Sequence, residues 1–314
     1  MIKIGVIGLG HMGGYHASVT STLQNAQLHA IADPTEKNWQ KVKAATVIKT
    51  KDFNDWIDLV DGVIIAVPTA AHYEVAKECL RRGKHVLLEK PFTSTVDQAQ
   101  ELVDLAMANN RALHVGHVER FNGAVQELKK IIANPTLIEC HRMGPFAPRV
   151  QTDSVVLDLM IHDIDLVLNI INSPVKGFSA HGTKIHSQSC DVAVVQIEFA
   201  NGTLASITSS RASQIKKRTM EVHQPTEYML LDFTTQDLTI QRHGNSSVQV
   251  GADQLKYRQE ARIERVFVYK DNPLKLEVEH FVNAIKTGDN LITPEQDLTA
   301  LQLTFAIEKE LGLR

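Results

Sequence analysis

Residues 8–13 read Gly-Leu-Gly-His-Met-Gly and follow directly on the apolar run Ile2-Lys3-Ile4-Gly5-Val6-Ile7. A strand that runs into three glycines at this spacing is a strand–turn–helix unit. The first glycine permits the tight turn, the second lets backbone approach an anion, and the third lets helix and strand pack closely. The helix start presents free N–H groups and the positive end of a dipole. Gly8, Gly10 and Gly13, with His11 and Met12 between them, are therefore read as a pyrophosphate cradle. A second apolar run, Leu28-His29-Ala30-Ile31-Ala32, ends in Asp33, 25 residues beyond Gly8. A carboxylate there accepts ribose hydroxyls and repels a 2′-phosphate, which favours NAD over NADP. The bland alternatives are an ordinary strand–helix turn and, for Asp33, a turn former before Pro34.

The pattern continues to residue 118. Strand-like runs at 63–67, 85–89 and 112–115 alternate with helical runs at 72–82 and 96–109. Short continuous apolar strands separated by helices make a parallel sheet covered on both faces. Thr95 with Gln98 forms a capping box, and Gly83 stands where a helix would end. Ligands on such sheets bind beyond the carboxyl ends of the strands. That rule places Val67, Pro68, Thr69, His72, Glu89, Lys90 and His117 on the cofactor rim.

From Asp191 the period becomes two: Val195, Ile197 and Phe199 alternate with polar residues, and Asn201-Gly202 leads into 204–209. Asn-Gly between alternating runs is a hairpin signal. Further strands are expected at 219–223, 228–233, 238–242 and 265–269, and helices at 273–286 and 294–311, the last capped by Thr293. The fold class is thus α/β plus α+β. A Rossmann parallel sheet with helices on both faces spans 1–118. An open, mostly antiparallel sheet with helices spans 119–314.

With 33 basic and 36 acidic residues the formal charge is −3, which gives no global attraction to nucleic acid or to an anionic membrane. No apolar stretch approaches the ~18 residues a membrane span needs. The fold begins at Ile2, leaving no room for a leader peptide. Cys79, Cys140 and Cys190 are distant and odd in number, which points away from a disulfide framework and toward a reducing cytoplasm. His114 and His117 are the only close histidine pair with passable ligand spacing, and no metal site is expected.

Lys90 lies between a strand end and Pro91, which disfavours helical geometry and holds the side chain at the mouth of the sheet. A surface lysine is the equal alternative. At about 100° per residue, Ser154, Asp158, His162, Asp165 and Asn169 fall in a stripe about 80° wide on an otherwise apolar helix over 154–171. So narrow a stripe suggests a helix turned toward a polar cavity. Asp158 and His162 are four apart and share a face, an arrangement suited to a general base, with a buried structural pair as the alternative. Asp163 sits on the apolar side, where a structural hydrogen bond is its expected task. A nicotinamide, a base and a cation are what alcohol oxidation requires.

With these residues assembled, the chain resembles the Gfo/Idh/MocA oxidoreductases along essentially its whole length. The resemblance rests on Gly8, Gly10, Gly13 and His16, on Glu89-Lys90-Pro91, on Arg120-Phe121, on Asp158 through His162 to Asp165, and on Asn272-Pro273-Leu274-Lys275 with His280-Phe281. It implies that Lys90, Asp158 and His162 are catalytic, with His162 the proton acceptor, and that the second domain forms homodimer or homotetramer contacts. Residues 115–122, 157–165 and Met143-Gly144-Pro145-Phe146 with Arg149 are similar to bacterial UDP-N-acetylglucosamine 3-dehydrogenases. That likeness implies oxidation of a sugar 3-hydroxyl, with His117, Arg120, Asn122 and Arg149 beside Asp158 and His162 in substrate contact; Arg142 is a further cation of interest. Gly123 departs from that subgroup, which commonly has proline there, whereas Met160, where many family members have glycine, is shared with it. A cyclitol or free-sugar dehydrogenase, and a dinucleotide-binding sensor without turnover, are the other readings.

Overall fold

β1 (Ile2–Ile7) enters the glycine turn and α1 (His11–Thr20) leaves it. β2 (Ala26–Ala32), β3 (Ile48–Thr50), β4 (Gly62–Ile65), β5 (His85–Leu88) and β6 (Leu113–Val115) complete a six-stranded sheet in the order β3-β2-β1-β4-β5-β6. Each neighbouring pair is parallel. This doubly wound order reverses between β1 and β4, and the glycine turn lies at that switch point. The computed structural model describes residues 1–44, 46–147, 153–250, 255–288 and 294–314. Among them no helix is long and apolar enough to cross a membrane.

The connecting helices follow their sequence signals. α2 (Thr69–Arg81) begins three residues before the expected start and is followed at Gly83 by a positive φ of +69°. The Thr95 hydroxyl accepts from the Gln98 N–H at the start of α3 (Val96–Ala108), as the capping box requires. α4 (Gly123–Ile131) and α5 (Ile161–Ile170) belong to the second half; α6 (Pro273–Thr287) and α7 (Pro294–Glu310) close the chain.

The chain divides into two compact units, residues 1–121 with 271–303, and 122–270 with 304–314. The expected single cut at 118/119 lacks the return of 271–303. The reason is burial: Val278, Phe281, Val282 and Ala284 of α6 join Ile4, Val6, Ile31 and Ile64 in one apolar core. A linear scan sees the amphipathic helix but not which core receives it.

The second unit holds an eight-stranded sheet. Its strands are β7 (Leu137–Met143), β8 (Val175–Thr183), β9 (Val192–Phe199), β10 (Leu204–Ser210), β11 (Lys217–His223), β12 (Glu227–Asp232), β13 (Asp237–Val250) and β14 (Leu255–Arg265). The order is β14-β13-β12-β11-β7-β10-β9-β8, and only β7 and β10 pair in parallel. Gly202, at φ +87°, makes the β9–β10 hairpin turn that Asn201-Gly202 signals. The strand expected at 265–269 ends at Arg265 instead. Phe267 and Tyr269 are 87% and 71% exposed, so their β-prone side chains have no sheet to pack on. The Thr293 cap falls outside the described residues.

The helix expected over 154–171 is not one straight α-helix. Val156–Met160 is π-helical and α5 begins at Ile161. The Leu157 N–H donates to the Ser154 hydroxyl, which itself donates to Glu308 Oε1 at 2.5 Å, so the segment is capped from a distant helix. Turns of the π type are frequent at functional sites.

Candidate active site

In the first unit the glycines divide their work as the spacing predicts. Gly8 has φ +84°, and an added Cβ would lie 2.7 Å from the Ala66 carbonyl oxygen. At Gly13 a Cβ would lie 1.8 Å from the Gly8 carbonyl oxygen, so no other residue lets α1 start this close to the turn. At Gly10 a Cβ would meet open space. Gly10 is the N-cap of α1 and supplies no side-chain cap bond. Open space in front of uncapped helix N–H groups, beginning at His11 and Met12, fits a dinucleotide pyrophosphate.

Asp33 is 6% exposed and sits against this turn: its Oδ2 accepts from the Leu9 N–H at 2.7 Å. The carboxylate also takes the Thr35 N–H at 2.8 Å and the Asn38 amide at 3.2 Å to each oxygen. It therefore braces the loop. Lys41, which no local pattern singles out, donates to the carbonyls of Leu9 at 2.5 Å and Gly10 at 2.9 Å, adding a cation beside the cradle.

The rim is held by buried polar contacts. Pro68 is the N-cap residue and Thr69 the first residue of α2. His72, 1% exposed, sets one ring nitrogen 2.8 Å from the Pro91 carbonyl and the other 3.0 Å from that of Val67. Both partners are acceptors, so the neutral ring that burial favours donates to one of them at a time. His16, fully buried, meets Glu89 Oε1 at 2.7 Å. Burial raises the Glu89 carboxyl, but the His16 hydrogen bond and the charges of His16 and Lys90 outweigh it and hold it below the usual range. Lys90 is half-buried; its N–H donates to Glu89 Oε2 at 3.2 Å, and the Lys90–Pro91 peptide is cis. Gly116, between β6 and the buried His117, lets backbone pass Glu89, since a Cβ would lie 3.2 Å from Oε2.

Arg120 is 4% exposed and donates to Asp297 at 2.7 Å, a buried structural pair rather than an open cation. Near it lies Glu277, which the sequence did not single out. It is 2% exposed, and neither carboxyl oxygen has a hydrogen-bond partner among the described residues. Burial pushes its carboxyl well above the usual range, the charges of Glu89 and Asp297 push the same way, and Arg120 opposes them. His280, one turn along α6, stacks with His114 at 5.2 Å and with Phe121 at 5.3 Å.

In the second unit Asp158 lies in the π-turn and His162 follows at the start of α5, both half-buried. Asp163 is 1% exposed and accepts from Arg142 Nε at 2.9 Å and Nη2 at 2.8 Å, the structural role its place on the apolar side predicted. Asp165 accepts from Asn169 at 3.1 Å, tying the polar stripe together. Asn122, expected in substrate contact, is 1% exposed and serves the fold: it caps α4 by accepting from the Ala124 N–H and donates to the Phe233 carbonyl. Its place just before α4 makes it a natural N-cap, and the preferred N-cap types include asparagine. Arg149 lies outside the described residues.

The first unit thus carries a dinucleotide cradle, and the second an Asp–His helix. Comparison with known proteins agrees. The Gfo/Idh/MocA profile described as an oxidoreductase family with an NAD-binding Rossmann fold matches residues 2–117, and the family's C-terminal domain profile matches 125–225. UDP-N-acetylglucosamine 3-dehydrogenase of Acidithiobacillus ferrooxidans is 32% identical over 98% of this chain and 97% of its own. A solved structure of that enzyme superposes with TM-score 0.90 over 99% and 98% of the two chains, at 28% identity in the structural alignment. Myo-inositol 2-dehydrogenase of Thermotoga maritima is 28% identical over 67% of this chain and 69% of its own. A scyllo-inositol dehydrogenase from Lactobacillus casei, solved with NAD(H) and scyllo-inositol, shares the fold at TM-score 0.81 and 20% identity, covering 99% and 97% of the two chains. This chain belongs to the Gfo/Idh/MocA family of NAD-binding oxidoreductases.

Proposed function

We propose that the chain oxidises the 3-hydroxyl of a UDP-N-acetylhexosamine to a ketone, with NAD as the oxidant. The observation that carries this reading is the extent of the likeness to the Acidithiobacillus enzyme. It joins 32% identity to coverage of 98% of the chain, whereas the Thermotoga inositol dehydrogenase is 28% identical over 67% of it and the Lactobacillus scyllo-inositol dehydrogenase, which also spans the whole chain, is 20% identical. NAD, when bound, supplies the hydride acceptor. Gly8, Gly10 and Gly13 with the first turn of α1 hold its pyrophosphate. Asp33 holds the ribose, and Val67, Pro68, Thr69, His72 and Glu89 frame the rest of the cofactor. His162 takes the proton of the substrate hydroxyl as general base. Asp158, one turn before His162, orients the imidazole. Lys90 stabilises the negative charge that grows on the oxygen.

The test is NAD reduction with UDP-N-acetylglucosamine, free N-acetylglucosamine and myo-inositol, followed at the absorbance band of reduced nicotinamide. Turnover of the nucleotide sugar, with the other two slow, is the expected result. Rapid oxidation of myo-inositol with UDP-N-acetylglucosamine inert overturns the reading in favour of a cyclitol dehydrogenase. NAD binding without turnover of any of the three, or of a wider polyol panel, leaves a sensor.

A further inference from the structure

The turn that follows β2 reaches back to the glycine loop through its last residue. The Lys41 ammonium donates to the carbonyls of Leu9 at 2.5 Å and Gly10 at 2.9 Å. These carbonyls belong to the two peptides that lead into α1, Leu9–Gly10 and Gly10–His11, and both peptides are trans. In a planar trans peptide the C=O and the following N–H point in opposite directions. A cation that holds both carbonyls therefore turns the Gly10 and His11 N–H groups away from itself. The Gly10 carbonyl also accepts from the Gly14 N–H at 3.3 Å, so it points along α1 and the His11 N–H points back out of the helix start. That is the direction from which an anion meets a helix N-terminus.

The peptide before these two is fixed by its donor. The Leu9 N–H is held by Asp33 Oδ2 at 2.7 Å. Three successive peptides of the loop are thus held, the first by a carboxylate and the next two by an ammonium, and both groups come from residues 33–41. That segment is itself anchored. The Trp39 indole N–H donates to the Asp33 carbonyl at 3.0 Å, and Val42, 5% exposed, packs into the first core. The Lys41 stem passes α1 at Gly14, where an added Cβ would lie 3.0 Å from Lys41 Cδ. Gly14 stands outside the three-glycine spacing, and this close approach gives it a task.

We propose that Lys41 is a positioning residue for the dinucleotide. It holds the loop in the arrangement that offers its N–H groups to the pyrophosphate, and it acts through the backbone, from the carbonyl side, rather than by touching the phosphates. Without the ammonium, water can solvate the two carbonyls in many orientations. The peptides then rotate, and only part of the population is ready to bind. Apparent affinity falls by that fraction. The proposal concerns NAD binding and holds whichever alcohol is oxidised, so its test needs no substrate.

The test compares the full wild-type chain with Lys41→Met and Lys41→Arg. NADH affinity is read by nicotinamide fluorescence, and amide hydrogen exchange is followed without cofactor. Methionine keeps an apolar stem and has no donor; arginine keeps donors. Lys41→Met should weaken NADH binding by about 10-fold or more, the worth of at least one charge-assisted hydrogen bond. The Leu9 amide, whose partner is Asp33 rather than Lys41, should exchange about 10-fold faster in Lys41→Met, while the Val6 and Ile64 amides of the sheet keep their wild-type rates. Lys41→Arg should recover part of both losses. Unchanged NADH affinity in Lys41→Met overturns the proposal. Weaker NADH binding with unchanged Leu9 exchange makes Lys41 a direct charge contact and overturns it too. Faster exchange at Val6 and Ile64 makes the lysine a general support of the fold, and an arginine variant no better than methionine denies the donors their role; either result also overturns it.

Discussion

Glu277→Gln should make the first unit more stable relative to wild type as pH rises. The Glu277 carboxyl is 2% exposed, neither oxygen has a hydrogen-bond partner among the described residues, and Glu89 and Asp297 add repulsion that Arg120 only partly offsets. Its folded-state value is thus raised above the ordinary 4.5 of the unfolded chain. The sign follows. Below about 4.5 the group is protonated in both states and the stability it contributes is fully present. Above 4.5 the unfolded state sheds the proton while the folded state keeps it. The folding equilibrium then loses up to about tenfold per pH unit until pH passes the folded value. Glutamine has nearly the same shape and no proton to lose. Its buried amide brings its own unsatisfied groups, worth about 1–3 kcal/mol, but that offset does not change with pH. The chain has two tryptophans, Trp39 and Trp56, and both lie in the first unit, so their fluorescence in urea reports the unit that contains Glu277. Urea midpoints at pH 5, 6, 7 and 8 should separate progressively in favour of Glu277→Gln. A difference between the two proteins that stays constant across that range would refute the reasoning.

Four further outcomes are expected. Asp163→Ala strips a buried guanidinium of its bidentate partner and should cost about 3–5 kcal/mol in denaturant unfolding; replacing the pair together, as Arg142→Met with Asp163→Leu, should recover most of it. Gly13→Ala forces a methyl to 1.8 Å from the Gly8 carbonyl and should lower both thermal stability and NADH affinity. Gly10→Ala meets open space in the structure, so it should leave stability unchanged and weaken NADH binding by about tenfold or more, read by nicotinamide fluorescence. Lys90→Met should lower kcat by about 100-fold or more while NADH affinity is kept; wild-type turnover by a purified Lys90→Met variant would remove Lys90 from the mechanism.

The parts of the fold that were legible in the sequence are those whose cause is local. The glycine turn, the Thr95 cap, the Gly83 helix end and the Asn201-Gly202 hairpin each follow from a few neighbouring residues. What was hidden depends on partners far along the chain. β7 carries Cys140 and Arg142 on its buried face, and an arginine there reads as surface until Asp163 is known to lie against it. Arg120 has the same relation to Asp297, 177 residues away. The likeness of residues 115–122 to nucleotide-sugar dehydrogenases reads Asn122 as a substrate contact, and that reading does not show the local task its position before α4 gives it, the N-cap. The π-turn around Asp158 escaped as well. Glu277 escaped because a glutamate on an amphipathic helix is ordinarily solvated, and only the packing of α6 into the first core puts it out of water.

The return of α6 to the first core has a bearing on how the chain is made. During synthesis the first 121 residues emerge with their strands complete and their core unfilled, because Val278, Phe281, Val282 and Ala284 are still to be translated. At about 5–20 residues per second, roughly ten to thirty seconds pass before they arrive. In that interval the 122–270 segment also emerges, still without the residues 304–314 that complete its unit, while the nascent dinucleotide unit exposes the apolar seat of a helix it does not yet possess. A gene fragment cut after residue 121 yields a sheet without its last wall.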